Sequence, residues 1–534
     1  MIIHMQLYRI YLMKKHYLLS ILMLVLALPI FASGSKSVSP TLDLSGFCKQ
    51  TNTVKDLSVS YYKGVLSLKV PDVQGLDANH VVAMPIDISQ YAGRYAMLVF
   101  DLKANCTPID PSKKSSITAI IAYTSGGKTH YSRFWNSMDK GWAECALILD
   151  KLPADASKAR LVLGFQNMKG VLKFKRAKFH LDDFAKLWEP NLPPNFKCEY
   201  TQAYKNIPHR RGASTRLRLS EYEVKKFKNW GGNLLRMGFS GAPGDERFNF
   251  SEEHARILNS PDYMQMYDKW FEETFAILKK ELDYCAKHGV KVAIVLGSYP
   301  GFRYWNKDLK MFNEKRYADK FVEIWKRIAT ELKGHPGVWC YDLINEPIQT
   351  RPYKYDAIKL QYMAAKAIRE VDAETPISVA AIQWSNPKGF KTLRPLPLKN
   401  IVYQAHMYMP HTHTHYNVGA RPEWKIPPSY PDAKADKKYL EEQLQPIVEF
   451  QQKWGAQIYI GEFSCVRWLK GADQYIADCI DIFEKYNWHW SYHSFCEASV
   501  WNVEYDSNKN NLKPSKVDTP SKKILLKAYS KNKN

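Results

Sequence analysis

Two glutamates stand at the ends of short apolar runs: Glu346 in Tyr341-Asp-Leu-Ile-Asn-Glu346-Pro347, and Glu462 in Ile458-Tyr-Ile-Gly-Glu462-Phe463. Runs of this kind read as buried strands of a parallel sheet. In a closed barrel of parallel strands, the side chains at those downstream ends converge on one mouth. Two carboxyl groups facing each other there can break a glycosidic bond. One attacks the anomeric carbon; the other protonates the leaving oxygen and then activates water. Their surroundings must differ, so that one stays ionised while the other holds a proton. Asn345 beside Glu346 is a neutral group able to hold a sugar hydroxyl, and Gly461 before Glu462 leaves room for substrate. The competing reading for either glutamate is a helix cap or a surface charge.

The elements that must position this pair follow from the pattern after residue 189. A strand near 207–213 opens the series. Helix 220–230, strand 233–238, helix 267–288, strand 292–296 and helix 316–333 follow. In the last of these, Tyr317, Phe321, Ile324, Trp325, Ile328 and Leu332 share one face at steps of three and four. Strand 338–344, helix 356–370, strands 377–382 and 401–408, helix 438–453, strand 458–462, helix 472–486, strand 488–495 and helix 520–529 complete it. Eight strands alternating with helices predict an α/β fold, a (β/α)8 TIM barrel. Residues 35–188 instead show several short apolar runs separated by Gly, Pro, Asn and Asp, such as Val65–Val70, Met97–Leu102 and Ile117–Tyr123. That rhythm predicts a β-sandwich, jelly-roll-like, that could be a carbohydrate-binding module with Tyr131, Trp135 and Trp142 as its platform, or a buttress for the barrel. The proline-rich stretch Leu187–Pro194 places the boundary, giving a barrel domain over 189–534.

Composition narrows the class further. The 534-residue chain is 45% hydrophobic and 24% charged, ordinary for folded domains. Met13-Lys-Lys-His16, the apolar run Leu18–Phe31 and Ala32-Ser-Gly34 together read as a signal peptide over residues 1–34, with Met13 a possible initiator. A secreted, periplasmic or cell-surface location is expected, without stable membrane insertion after cleavage. The nine cysteines are scattered with no Cys-x-x-Cys pair, and most read as small buried hydrophobes. The net charge of +23 is dispersed and comes without a nucleic-acid motif, so nucleic acid is not expected as a partner. An acidic polysaccharide or envelope is the smaller alternative. His411-Thr-His413-Thr-His415 could bind zinc if extended, but a polar cleft wall or a plain loop is the expected role, and neither metal nor cofactor is expected.

The chain resembles glycoside hydrolase family 5, the cellulase-like group, over roughly residues 200–505. The resemblance rests on Asn345-Glu346-Pro347, Gly461-Glu462-Phe463, His406-Met-Tyr408 and Arg236 in Gly-Asn-Leu-Leu-Arg. It implies a retaining, two-glutamate enzyme with Glu346 as acid/base and Glu462 as nucleophile. Tyr408 and Arg236 would hold the nucleophile, His406 would stand beside the acid/base, and Asn345 would meet the sugar 2-hydroxyl. Two departures stand out. Where the family carries a histidine after strand three, this chain reads Gly297-Ser298-Tyr299. Where strand eight brings a tryptophan beneath the sugar, it reads Trp490-Ser-Tyr-His493-Ser-Phe495, leaving His493, Phe495 or Trp501 to fill the position. Trp305, Trp384, Trp424 and Trp468 are candidate stacking platforms. The expected function is hydrolysis of a β-linked polysaccharide such as a glucan or mannan, with endo action favoured. The alternative is a non-catalytic glycan-binding protein on the same barrel.

Overall fold

The computed structural model describes residues 41–532, apart from 51–55, 74, 77–78, 94–95, 111–114, 137–141, 150–151, 182–188, 246–255, 304–307, 350–352 and 419–427. The signal-peptide segment, Trp305 and Trp424 lie outside the described residues, as does the side chain of Trp135. The chain divides into two compact units between Lys186 and Leu187.

The first unit is a β-sandwich of two antiparallel sheets. Its strands are β1 (Ser58–Tyr62), β2 (Val65–Val70), β3 (Asn79–Pro85), β4 (Ala96–Pro108), β5 (Ser116–Ser125), β6 (Lys128–Asn136), β7 (Trp142–Leu149), β8 (Ser157–Gln166) and β9 (Met168–Leu181). One sheet runs β1-β2-β9-β4-β7, the other β3-β8-β5-β6. Alternation along β2 buries Leu66, Leu68 and Val70, while β5 and β8 bury Ile117, Ala119, Ile121, Leu161 and Leu163. Gly126 and Gly127, both at positive φ, turn β5 into β6. Strand β1 escapes sequence reading because it is an edge strand that buries none of its five residues.

In the second unit eight parallel strands close into a barrel: β10 (Arg211–Thr215), β11 (Leu234–Phe239), β12 (Lys291–Leu296), β13 (Val338–Asp342), β14 (Ile377–Ala380), β15 (Ile401–Met407), β16 (Gln457–Phe463) and β17 (His489–Phe495). Strand β10 pairs with both β11 and β17, which completes the ring. The longer outer helices are α1 (Glu221–Asn229), α2 (Tyr263–Lys287), α3 (Lys315–Leu332), α4 (Ala357–Arg369), α5 (Lys437–Trp454), α6 (Ala472–Lys485) and α7 (Pro520–Tyr529). A capping box between Ser220 and Glu223 starts α1. The six apolar residues anticipated on one face of α3 are all buried there. At roughly 1.5–3 kcal/mol for each large apolar side chain, that stripe alone is enough to dock the helix.

The opening strand begins at Arg211 rather than near 207. Pro208 has no N–H to offer a ladder, and the Arg210 amide donates to His489 Nδ1 (3.0 Å). Low in the barrel, Leu234, Ala293, Trp339, Cys340, Val402 and Tyr459 pack with Tyr204 into an apolar plug. Above it lies a polar layer. Ser214 and Ser491 hydroxyls both donate to the Gly461 carbonyl (3.1 and 2.5 Å), and Gln404 Nε2 donates to Ser378 Oγ (3.0 Å). This layer is a rigid floor for the mouth. The eight described cysteines are free thiols. No helix among the described residues is long and apolar enough to cross a membrane.

Candidate active site

At the downstream mouth of the barrel, Arg236 of β11 links three groups. Its Nε donates to Asp342 Oδ2 (2.7 Å), Nη1 to Glu462 Oε1 (2.7 Å) and Nη2 to Asn345 Oδ1 (2.9 Å). Burial works against the guanidinium charge, but Asp342 and Glu462 outweigh it and hold Arg236 charged. Tyr408 donates its O–H to the other Glu462 oxygen, Oε2, at 2.9 Å. Burial, reinforced by Glu462 and Glu346, pushes the Tyr408 hydroxyl well above the ordinary phenol value, so it remains a donor. Burial alone would raise Glu462. His406, His493, Arg236 and the Tyr408 hydroxyl together overcome it and hold this carboxyl well below the ordinary carboxylate range.

Glu346 lies just past the end of β13, at φ 47°, a backbone region that non-glycine residues seldom occupy. Arg303 holds that turn by donating Nη2 to the Glu346 carbonyl (3.1 Å), with its guanidinium set between the rings of Tyr299 and Trp384 (5.3 and 5.2 Å). The Glu346 side chain meets His406: Oε1 lies 2.9 Å from Nδ1. The other ring nitrogen of His406 faces Gln404 Oε1 at 2.9 Å. Because Gln404 uses its amide N–H on Ser378, that oxygen is an acceptor and His406 Nε2 carries a proton. The His406 Nδ1–Glu346 contact is then a hydrogen bond whose proton comes from one partner or the other. One atom each from Glu346, His406 and Glu462 lies within 4.8 Å of the others. The two carboxyl groups therefore meet across the mouth, at a separation that suits direct attack on a sugar held between them.

Of the three candidates for the position at strand eight, His493 and Trp501 lie at the site and Phe495 does not. His493 enters the site, with Nδ1 2.9 Å from Tyr408 Oη and 4.0 Å from Glu462 Oε2, and Nε2 3.5 Å from Glu497. Tyr408 spends its proton on Glu462, so His493 Nδ1 is the donor to Tyr408. Trp501 packs on the His493 ring (centroids 5.1 Å apart) and on Tyr408 (6.1 Å). Phe495, offered as an alternative, is turned away into the outer core against Phe227 and Trp230. Ser214 pairs with His493 and Thr215 with Phe495, so one step along β10 spans two along β17 and the faces exchange. After β12, Ser298 does not replace the family's histidine in the mouth; its hydroxyl binds Asp245. Trp384 stands beside the site through Arg303 and through its amide on the Pro347 carbonyl (3.3 Å). Trp468 lies elsewhere, its indole N–H on the Tyr416 carbonyl (2.8 Å).

Gly461 has a different purpose from the one expected. A Cβ there would lie 2.6 Å from Gln404 Cδ, so the glycine makes room for the amide that orients His406, not for substrate. The histidine run forms a helical turn, His411–Thr414, instead of an extended segment. His413 is buried on Asp432 (2.9 Å), while His411 and His415 stack on each other (3.8 Å), so the three do not converge. Among the described residues, Glu346, His406 and Glu462 are the one trio whose ligand atoms cluster as a metal site requires. The Glu462 oxygens already accept from Tyr408 and Arg236. Gln404, Asp342, Arg303 and Glu497 belong to the site but were not singled out. For the first two a signal existed: a polar residue inside an apolar strand, two positions before His406 and at the end of the run leading to Glu346.

His493 makes the site pH-sensitive. Burial opposes its charge, yet Glu462 and Glu497 raise it above the ordinary value of 6.5. A raised histidine contributes stability that is fully present below that ordinary value and is lost as pH rises through the native one. The Tm of wild type minus that of His493→Gln should therefore be about 1–3 °C at acidic pH and shrink above neutrality. A pH-independent difference would show that the ring acts by packing alone.

The sequence model of Cellulase (glycosyl hydrolase family 5) matches residues 207–499, more than half of the chain. Endoglucanase C of Acetivibrio thermocellus is 24% identical over 293 residues, covering 48% of this chain and 81% of that protein. Cellodextrinase A of Ruminococcus flavefaciens is 22% identical over 227 residues, 41% of this chain and 67% of its own length. Thermotoga maritima Cel5A, solved in complex with cellobiose, superposes with a TM-score of 0.46 at 21% identity, covering 60% of this chain and 97% of that one. Because the family model matches residues 207–499, a span that contains every strand of the barrel, the chain belongs to glycosyl hydrolase family 5.

Proposed function

We propose that this protein is an exported β-glycan hydrolase that cleaves with retention, using Glu462 as nucleophile and Glu346 as acid/base. One observation carries the reading: an oxygen of each carboxyl lies within 4.8 Å of the other, in two unlike settings. Glu462 is held as an anion by the Arg236 cation and the Tyr408 hydroxyl. Among the described residues, the Glu346 carboxyl hydrogen-bonds to His406. In the first step a Glu462 oxygen forms a bond to the anomeric carbon as the glycosidic C–O bond breaks, and Glu346 delivers its proton to the departing oxygen. In the second, the Glu346 carboxylate takes a proton from water, whose oxygen displaces Glu462 and restores both residues. Arg236 occupies the Asn345 side-chain oxygen, which leaves the amide N–H groups to donate to a sugar hydroxyl next to the reacting carbon.

Membership of the family, and relatives named as an endoglucanase and a cellodextrinase, support a β-linked glucan or related polysaccharide as substrate. The basic and apolar run from Met13 to Gly34 supports export to the periplasm, cell surface or medium. The test is hydrolysis of β-linked glucans and mannans followed by proton NMR, with activity also assayed in cytosolic, envelope and medium fractions. The β-anomer should appear first, outside the cytosol. First appearance of the α-anomer, or no release of reducing sugar from any β-glycan, would overturn the mechanism. Activity confined to cytosol would overturn export.

A further inference from the structure

The five-stranded sheet of the first unit has one face packed on the sandwich core and one in solvent. Leu66, Leu68, Leu102, Leu172 and Phe174 point inward. By alternation the opposite face carries Lys69 on β2, Lys103 on β4 and Lys173 on β9. Register sets these together. Lys103 stands opposite Lys173 on one side and Trp142 on the other, and Lys173 in turn stands opposite Ser67. Lys69 lies in the neighbouring row, opposite Val171. With strands about 4.8 Å apart, the row sets two lysines side by side next to an indole, with Lys69 diagonal to Lys173.

Ordinary reasons for surface lysines do not account for this arrangement. Lysine protects the edges of sheets, but β9 and β4 are interior strands in the order β1-β2-β9-β4-β7. Like charges directly opposite each other lower stability, as Lys103 and Lys173 do here. None of Lys69, Lys103 and Lys173 makes an ion pair with a described carboxylate. Among the described side chains, the nearby acid Asp101 is buried and taken by Arg176 Nε (2.7 Å) and Lys175 (3.9 Å). Trp142 stays 40% exposed, with the Lys175 ammonium 4.1 Å from its ring centroid.

We propose that this face binds an acidic polysaccharide, with Lys69, Lys103 and Lys173 taking the carboxylates of successive uronate residues and Trp142 stacking on a sugar ring. A chain with a carboxylate on each sugar repeats at a spacing comparable with that between strands, so one polymer can meet several lysines at once. The indole favours a pyranose ring, whose C–H face stacks on aromatic carbon. The net charge of +23 adds long-range attraction for such a polymer.

The experiment is fluorescence anisotropy of a labelled oligogalacturonate with the full chain, read without turnover, so its outcome does not depend on the hydrolase reading. Binding should weaken about 10-fold in Lys103→Gln/Lys173→Gln and several-fold in Trp142→Ala. It should persist in Lys225→Gln/Lys228→Gln, which removes the same charge from α1. A neutral cello-oligosaccharide should not compete. Thermal melting should show the first variant as stable as wild type or more so, because a like-charge contact is relieved. Equal loss in both double variants would overturn the site in favour of net charge. Equally tight binding of a DNA strand through the same two lysines, or no uronate binding by the wild type, would also overturn it.

Discussion

Glu462→Ala should lower turnover of a β-glycan by about 10⁵–10⁶-fold, the order seen when a covalent nucleophile is removed elsewhere. Azide should restore part of the rate. The truncated side chain leaves space beside the anomeric carbon, and azide entering there displaces the aglycone once, giving a glycosyl azide of inverted configuration. Glu346→Ala behaves differently. With a natural glycan, loss of the proton donor should cost about 10²–10⁴-fold. With an activated aryl glycoside, the first step needs no proton and the covalent intermediate accumulates. Azide then intercepts it in a second displacement, so the product retains configuration. NMR of the two azide adducts checks both assignments at once: the same anomer from both variants would sink the division of roles. Neither change removes the ion pair between Arg236 and Asp342, so both proteins should stay folded.

Much of this site was legible because most of its groups stand at strand ends. Glu346, His406, Tyr408 and Glu462 follow or close apolar runs, and parallel strands in a closed barrel deliver such ends to one mouth, while Arg236 is marked as a charge inside the apolar strand β11. What remained hidden depends on register or on distant loops. The exchange of faces between His493 and Phe495 arises where β10 and β17 slip by one residue, which alternation within β17 alone does not reveal. Arg303 reaches the Glu346 carbonyl from a loop 43 positions earlier, with no periodic signal to mark it. Gly461 looked like space for substrate because its neighbour in sequence is Glu462; the space is filled from β15 by Gln404. The histidine run was weighed as an extended segment, and a helical turn places its three rings in separate environments.

The site also shows how the two departures from the family pattern are accommodated. The position after β12 gives no histidine to the mouth, while β17 supplies one at His493. His493 thereby stands on the Glu462 side of the site. Glu462 consequently faces Arg236 on one oxygen, and Tyr408 backed by His493 on the other. Among the described residues, the Glu346 carboxyl hydrogen-bonds to His406, whose orientation Gln404 sets. The asymmetry that double displacement needs therefore comes from how cations are distributed around two otherwise identical side chains.

Arg236→Met tests that distribution most severely. The guanidinium is 4% exposed and Asp342 is fully buried, so its loss strands a carboxylate without a cation. Breaking a buried pair in this way typically costs about 3–5 kcal/mol, and urea unfolding should show a destabilisation of that order. Activity should fall by at least about 10³-fold, since the nucleophile loses its direct cation and Asn345 loses the donor that orients it. Glu462 is now held below the ordinary carboxylate range, so stability from its ionised form is present at neutral pH and is lost as pH falls through the native value. Without Arg236 that native value rises, and the acid limb of kcat/KM should move to higher pH. Arg236→Met/Asp342→Asn separates the structural from the chemical effect. Removing both charges should restore much of the stability, because no stranded anion remains, while turnover and the displaced acid limb stay as in the single variant. Recovery of activity together with stability would mean that Arg236 serves only to neutralise Asp342, and that Tyr408 and His493 suffice to hold the nucleophile.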